Sequence, residues 1–143
     1  MARWRSEAID RLPELRQVIG AAQNIMALWI ELQQVFEEAY DREPRDDSTI
    51  ERIYSYADWC EQAPRNDDAG HDPLTAVMVA FYEHIPACSP ARQDMPRWFR
   101  YQEVVQNKEV FAYHIGEEEY NHLLEYMGKN RNLYQPRRRR SKP

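Results

Sequence analysis

Residues 25–40 read IMALWIELQQVFEEAY, and this stretch decides the fold class. Ile25, Leu28, Trp29, Leu32, Val35, Phe36, Ala39 and Tyr40 recur at alternating spacings of three and four, the repeat of one buried face of an α-helix. Glu31, Gln34, Glu37, Glu38 and Asp41 fall on the opposite face. Asn24 precedes the run as a residue type that accepts an orphan backbone N–H at a helix start. The Glu43-Pro44 step ends it near residue 42, since proline excludes helical geometry from its predecessor.

The same signals recur on both sides of this helix. Upstream, Ala8 and Ile9 mark a short N-terminal element, and Pro13 opens another carrying Leu12, Leu15, Val18 and Ile19. Downstream, Asp47 or Ser48 caps a helix over 48–62 with Ile50, Ile53, Tyr54, Ala57 and Cys60 inside, stopped by Pro64. A polar loop follows. Asp72-Pro73 then supplies a capping carboxylate and a proline at the first helical position. The run 74–82, LTAVMVAFY, is apolar on nearly every side. Its β-branched residues also suit a strand, but no second strand candidate exists to pair with it. A central buried helix near 73–85 is therefore predicted.

Beyond it the sequence predicts a short turn from Ser89 to Met95, stopped by Pro96, and a helix from Trp98 to Ile115. Gly116 ends that helix in left-handed geometry. A last helix carries Glu117, Glu118 and Glu119 at its positive end, buries Tyr120, Leu123, Leu124 and Met127, and ends at Gly128. The expectation is an all-α fold of six to seven helices, an irregular antiparallel bundle or short stack of helical hairpins. Residues 1–130 form one domain and 131–143 a basic, disordered tail.

Four segments, ALWIELQQVFEEAY (27–40), IERIYSYADWC (50–60), TAVMVAFYEHIP (75–86) and DMPRWF (94–99), resemble a group of small bacterial all-helical proteins. The resemblance implies a helical fold and a bacterial origin. It transfers no catalytic, cofactor or binding residue.

Charge is unevenly spread over the 143 residues. The net formal charge is −5, yet residues 137–143, RRRRSKP, hold five cations and no acid. The first 136 residues set 14 basic against 24 acidic side chains, a body that repels a phosphate backbone. Nucleic-acid association is accordingly confined to the tail, through Arg137, Arg138, Arg139 and Arg140. Cys60 and Cys88 form no Cys-x-x-Cys pair and read as thiols in a reducing compartment. The first residues lack the apolar core of a signal peptide, and no apolar stretch reaches membrane-spanning length. A cytoplasmic protein without membrane attachment is expected.

No phosphate-binding glycine loop, dinucleotide fingerprint, nucleophile elbow or His-Glu-x-x-His motif occurs. Three looser groupings carry possible chemistry. His114, Glu118 and His122 are spaced by four, the interval that aligns metal ligands on a continuous helix, although Gly116 interrupts it. Glu119 and His122 match one half of a di-iron motif whose second half is absent. Asn66 to Asp72 gathers carboxylates with His71, and Glu83 with His84 leave the most apolar helix, where burial perturbs ionisation. The simpler reading makes Asp72 a helix cap and the histidines structural or solvated, with no metal and no cofactor.

Arg97, Trp98, Phe99 and Arg100 combine the residue types enriched where proteins bind one another. With the acidic body, this segment points to a protein-interaction module, in its sharpest form an inhibitor or immunity-type partner of a basic target. A metal-dependent or acid–base enzyme drawing on His71, Asp72, His84, His114 and His122 is the second expectation. Weak nucleic-acid association through the arginine tail is the third.

Overall fold

The computed structural model describes residues 1–136. Among these the fold is all-α, with nine α-helices, four short 3-10 turns and no strand. The chain groups into two compact units, Met1–Phe81 and a second that begins at Tyr82.

The first unit comprises α1 (Arg3–Arg11), a 3-10 turn at Pro13–Leu15, α2 (Arg16–Ala21), α3 (Ile25–Asp41), α4 (Asp47–Gln62), a second 3-10 turn at Ala69–His71 and α5 (Pro73–Ala80). Helix α3 packs against α4 and α5, and α1 lies on α4. Its inward face is the predicted stripe, with Ile25, Leu28, Trp29, Leu32 and Phe36 fully buried. Trp29 stacks between Tyr56 at 5.3 Å and Phe81 at 4.8 Å, while Phe36 meets Phe81 edge-on at 4.7 Å. Offset and edge-on rings of this kind add to the stabilisation from area burial alone.

The helix ends follow backbone hydrogen-bond accounting. Asn24 Oδ1 accepts the Ala27 N–H at 2.8 Å, as expected. The cap of α4 is Asp46, one residue earlier than expected, because its carboxylate takes both the Thr49 N–H (3.1 Å) and the Thr49 hydroxyl (2.8 Å). At the C-terminus of α2, Arg5 donates to the carbonyls of Ile19, Gly20 and Ala22 at 2.6, 3.0 and 3.0 Å.

The predicted helix over 73–85 requires correction. Helix α5 stops at Ala80, the backbone leaves helical geometry at Phe81, and Tyr82–Ala87 forms a 3-10 turn containing Pro86. Proline lacks the N–H that an α-helix would need there. Nor is α5 buried all round: Val79 is 43% exposed. The most extensively packed helix of this unit is α3.

The second unit contains that 3-10 turn, α6 (Ser89–Trp98), α7 (Tyr101–Gln106), α8 (Lys108–Phe111), α9 (Gly116–Lys129) and a 3-10 turn at Arg131–Leu133. Its centre is an aromatic triad. Tyr82 and Phe111 each meet Phe99 nearly edge-on at 5.3 Å. The Tyr120 hydroxyl donates to the Val104 carbonyl at 2.7 Å within this core.

Three boundaries here differ from expectation. Pro96 does not stop α6, which runs on to Trp98, since a proline in the final turn removes only one backbone bond before the helix ends. The single helix expected over 98–115 is divided into α7 and α8 at Asn107. There the Asn107 Nδ2 donates to the Glu103 carbonyl at 2.7 Å, offering the backbone an alternative to helix continuation. Gly128 does not end α9, which continues to Lys129. Gly116 does take the left-handed geometry, at φ 84°, and α9 starts there. No helix of the described residues is long and apolar enough to cross a membrane.

Candidate functional site

The Arg97–Arg100 segment closes α6 and leads into α7. Trp98 and Phe99 are only 8% and 2% exposed, so the two rings serve the second unit's core and are not an exposed contact. Trp98 Nε1 donates to Asp94 Oδ2 at 3.1 Å, and Arg97 reaches the other oxygen of the same carboxylate at 3.3 Å. Adjacent aromatics on a four-residue turn are drawn inward because their apolar area outweighs everything else in the segment. Arg100 alone of the four is fully at the surface. Arg137, Arg138, Arg139 and Arg140 lie outside the described residues.

The histidines separate into three settings. His71 lies in the first unit, its Nδ1 3.0 Å from Asp68 Oδ2 at the surface. The adjacent Asp72 is only 1% exposed and receives the Arg65 guanidinium, the Asn66 N–H and both the N–H and hydroxyl of Thr75. Arg65 chiefly, opposed by burial and seconded by Thr75 and Asn66, holds this carboxyl well below the usual range. It is a fully occupied cap and not an acid–base group.

In the second unit, His84 and His114 stack with ring centroids 4.4 Å apart, and His114 Nε2 lies 3.5 Å from Glu83 Oε1. Near-parallel rings do not aim their nitrogens at one point. His122 Nδ1 instead pairs with Glu119 Oε2 at 3.1 Å on the following helix. The left-handed step at Gly116 takes His114 out of α9, so the spacing of His114, Glu118 and His122 is not a ladder on one helix. Among the described residues no three His, Cys, Asp or Glu side chains are grouped to hold a metal ion.

Among the described residues, two clefts of the second unit bear on binding. The larger, about 650 Å³, is lined in part by Pro86, Ser89, Arg92, Ile115, Glu119 and Tyr126. Its charges neutralise one another, since Arg92 Nη1 is 3.0 Å from Glu119 Oε1 while His122 holds the second oxygen. Those two partners, His122 first, lower the Glu119 carboxyl below its ordinary range. The smaller cleft, about 290 Å³, lies among Pro96, Phe99, Arg100, Tyr101, Met127, Arg131 and Tyr134. Of this lining, the sequence points to Phe99 and Arg100. Arg131 and Tyr134 fall in the stretch expected to be a disordered tail, yet Gln135 N–H donates to the Arg97 carbonyl at 3.1 Å and fixes that end of the described chain against α6.

The first unit presents a different surface. It carries 16 acidic and 8 basic side chains, and α3 holds four carboxylates with no cation at all. Glu31, Glu38 and Asp41 are exposed and make no ion pair among the described residues, while Glu37 accepts only the Gln33 amide at 2.7 Å. Three of the four stand in the last two turns, at the negative end of the helix dipole, where carboxylates are unfavourable. Ile30 on this helix is 53% exposed.

No protein-family model, curated protein or solved structure matches this chain.

Proposed function

We propose that the protein is a protein-interaction module whose acidic first unit captures a basic partner, in the manner of an inhibitor or immunity protein. The observation that supports this reading most is the outer face of α3. Glu37, Glu38 and Asp41 repel one another and the helix C-terminus, so folding gains nothing from them. A cationic surface laid across them removes that repulsion and speeds encounter by steering. Ile30 supplies an apolar contact beside the charges, and Val79 another on α5, the helix packed against α3. Two free cysteines agree with a reducing, cytoplasmic setting for such a partner.

The test compares the native chain with a Glu31→Lys, Glu38→Lys, Asp41→Lys variant as immobilised bait. The native protein is expected to retain a strongly basic protein at low salt, to release it near 0.5 M salt, and to lose it on charge reversal. Retention of the same proteins by native and reversed bait would overturn the reading.

A further inference from the structure

We propose that the cleft between α7 and the end of α9 binds a small phosphate monoester carried on a ring, with Arg100 and Arg131 taking the phosphate. This site is independent of the acidic face of α3. Both guanidiniums are exposed and neither forms an ion pair among the described residues. That sets them apart from Arg92 and Arg97 in the same unit, each of which has a carboxylate. Glu103, the acid closest to Arg100 in sequence, directs one oxygen to the Arg100 backbone N–H at 2.8 Å.

Each free guanidinium is held by an aromatic ring. Arg131 lies 4.0 Å over Tyr101 and Arg100 lies 5.2 Å over Tyr134. Stacking fixes the planar fork and leaves its N–H edges to a ligand, and two forks match a dianionic phosphate in charge and in the number of oxygens better than a carboxylate. Tyr101 in turn lies against α9 at Gly128, where an added Cβ would stand 3.5 Å from the ring. Pro96, Phe99 and Met127 make the apolar part of the wall, with Phe99 2% and Met127 1% exposed, and the exposed Gln102 adds an uncharged polar side chain. Tyr134, which also lines the cleft, has a buried hydroxyl with no hydrogen-bond partner among the described residues. Such a group is normally satisfied, and a turn of the ring towards the cleft on binding would let it donate a hydrogen bond to a phosphate oxygen.

At about 290 Å³ the cleft stands at the small end of ligand sites. It admits one ring with one phosphate.

Calorimetric titration of the full chain with phenyl phosphate, inorganic phosphate, phenol and benzoate tests the assignment. Phenyl phosphate should bind at least tenfold more tightly than any of the other three. Arg100→Gln and Arg131→Gln should each weaken it about tenfold or more, Tyr134→Phe a few-fold, and Lys108→Gln not at all, because Lys108 belongs to an ion pair with Glu117. The substituted arginines are surface residues, and thermal denaturation of each variant confirms that it is folded. Equal affinity for inorganic phosphate would mean unspecific charge attraction, and equal affinity for benzoate a carboxylate site; either overturns the proposal, as does undiminished binding by Arg131→Gln.

Discussion

Arg65 clasps the buried carboxylate of Asp72 through both oxygens, with Nε 3.0 Å from each and Nη2 2.8 Å from Oδ2. The same carboxylate caps α5 through Thr75 and ties down the loop at Asn66. Its folded-state ionisation lies below the ordinary value, so the group stabilises the fold in full above the unfolded value, about pH 4. That contribution is lost as pH falls from there towards the folded value. Urea denaturation between pH 6 and pH 2.5 should show it, and Asp72→Asn should flatten the acid slope. Asp72→Ala should cost about 1–3 kcal/mol at neutral pH through the lost cap and its stranded partners.

Trp98 is a second place where stability and binding separate. Replacing it by Ala removes a buried indole and should cost about 3–5 kcal/mol. Trp98→Phe retains most of the ring and leaves Asp94 with Arg97, so a loss of about 1 kcal/mol is expected. Equal losses for the two variants in denaturant titrations would show that the hydrogen bond, not the ring, dominates.

The two thiols should differ sharply in reactivity. Burial pushes the Cys60 thiol up to about 12, only partly offset by the Trp29 indole N–H donated to its sulfur at 3.4 Å. The thiolate is the reacting form, so Cys60 should resist Ellman's reagent at pH 8 in the folded protein. Cys88 is half-buried and should react first. Mass spectrometry after a short pulse distinguishes them, and both should label in denaturant.

Charge on α3 gives a stability readout that needs no partner. Glu38→Lys and Asp41→Lys place cations at the negative end of the helix dipole, and each should raise the melting temperature by about 1–3 °C. A fall on calorimetric scanning would mean that these carboxylates serve folding after all.

Legibility in the sequence followed the length of the pattern. The stripe on α3 spans 17 residues, and its cap and inward face were readable because burial and periodicity agree there. The sequence extends helix α5 too far because LTAVMVAFY has no charged residue, proline or glycine to mark where Phe81 and Tyr82 part. The division at Asn107 rests on a side-chain hydrogen bond that periodicity does not register. At the smaller cleft, Arg100 was visible within its aromatic segment, whereas Arg131 and Tyr134 are about thirty positions away and meet it only through the packing of α6, α7 and α9.

Phe81 and Tyr82 are neighbours in sequence, 0% and 2% exposed, and each is committed to its own aromatic cluster. A protease needs several residues of accessible, extended backbone, and this junction offers none. Limited digestion of the native chain should therefore leave the boundary between the units uncut. The first nick should fall instead in the exposed run from Pro64 to Ala69, inside the first unit. Fragments mapped by digestion would then misplace the division between units by more than ten residues, severing α5 from the helices it packs against.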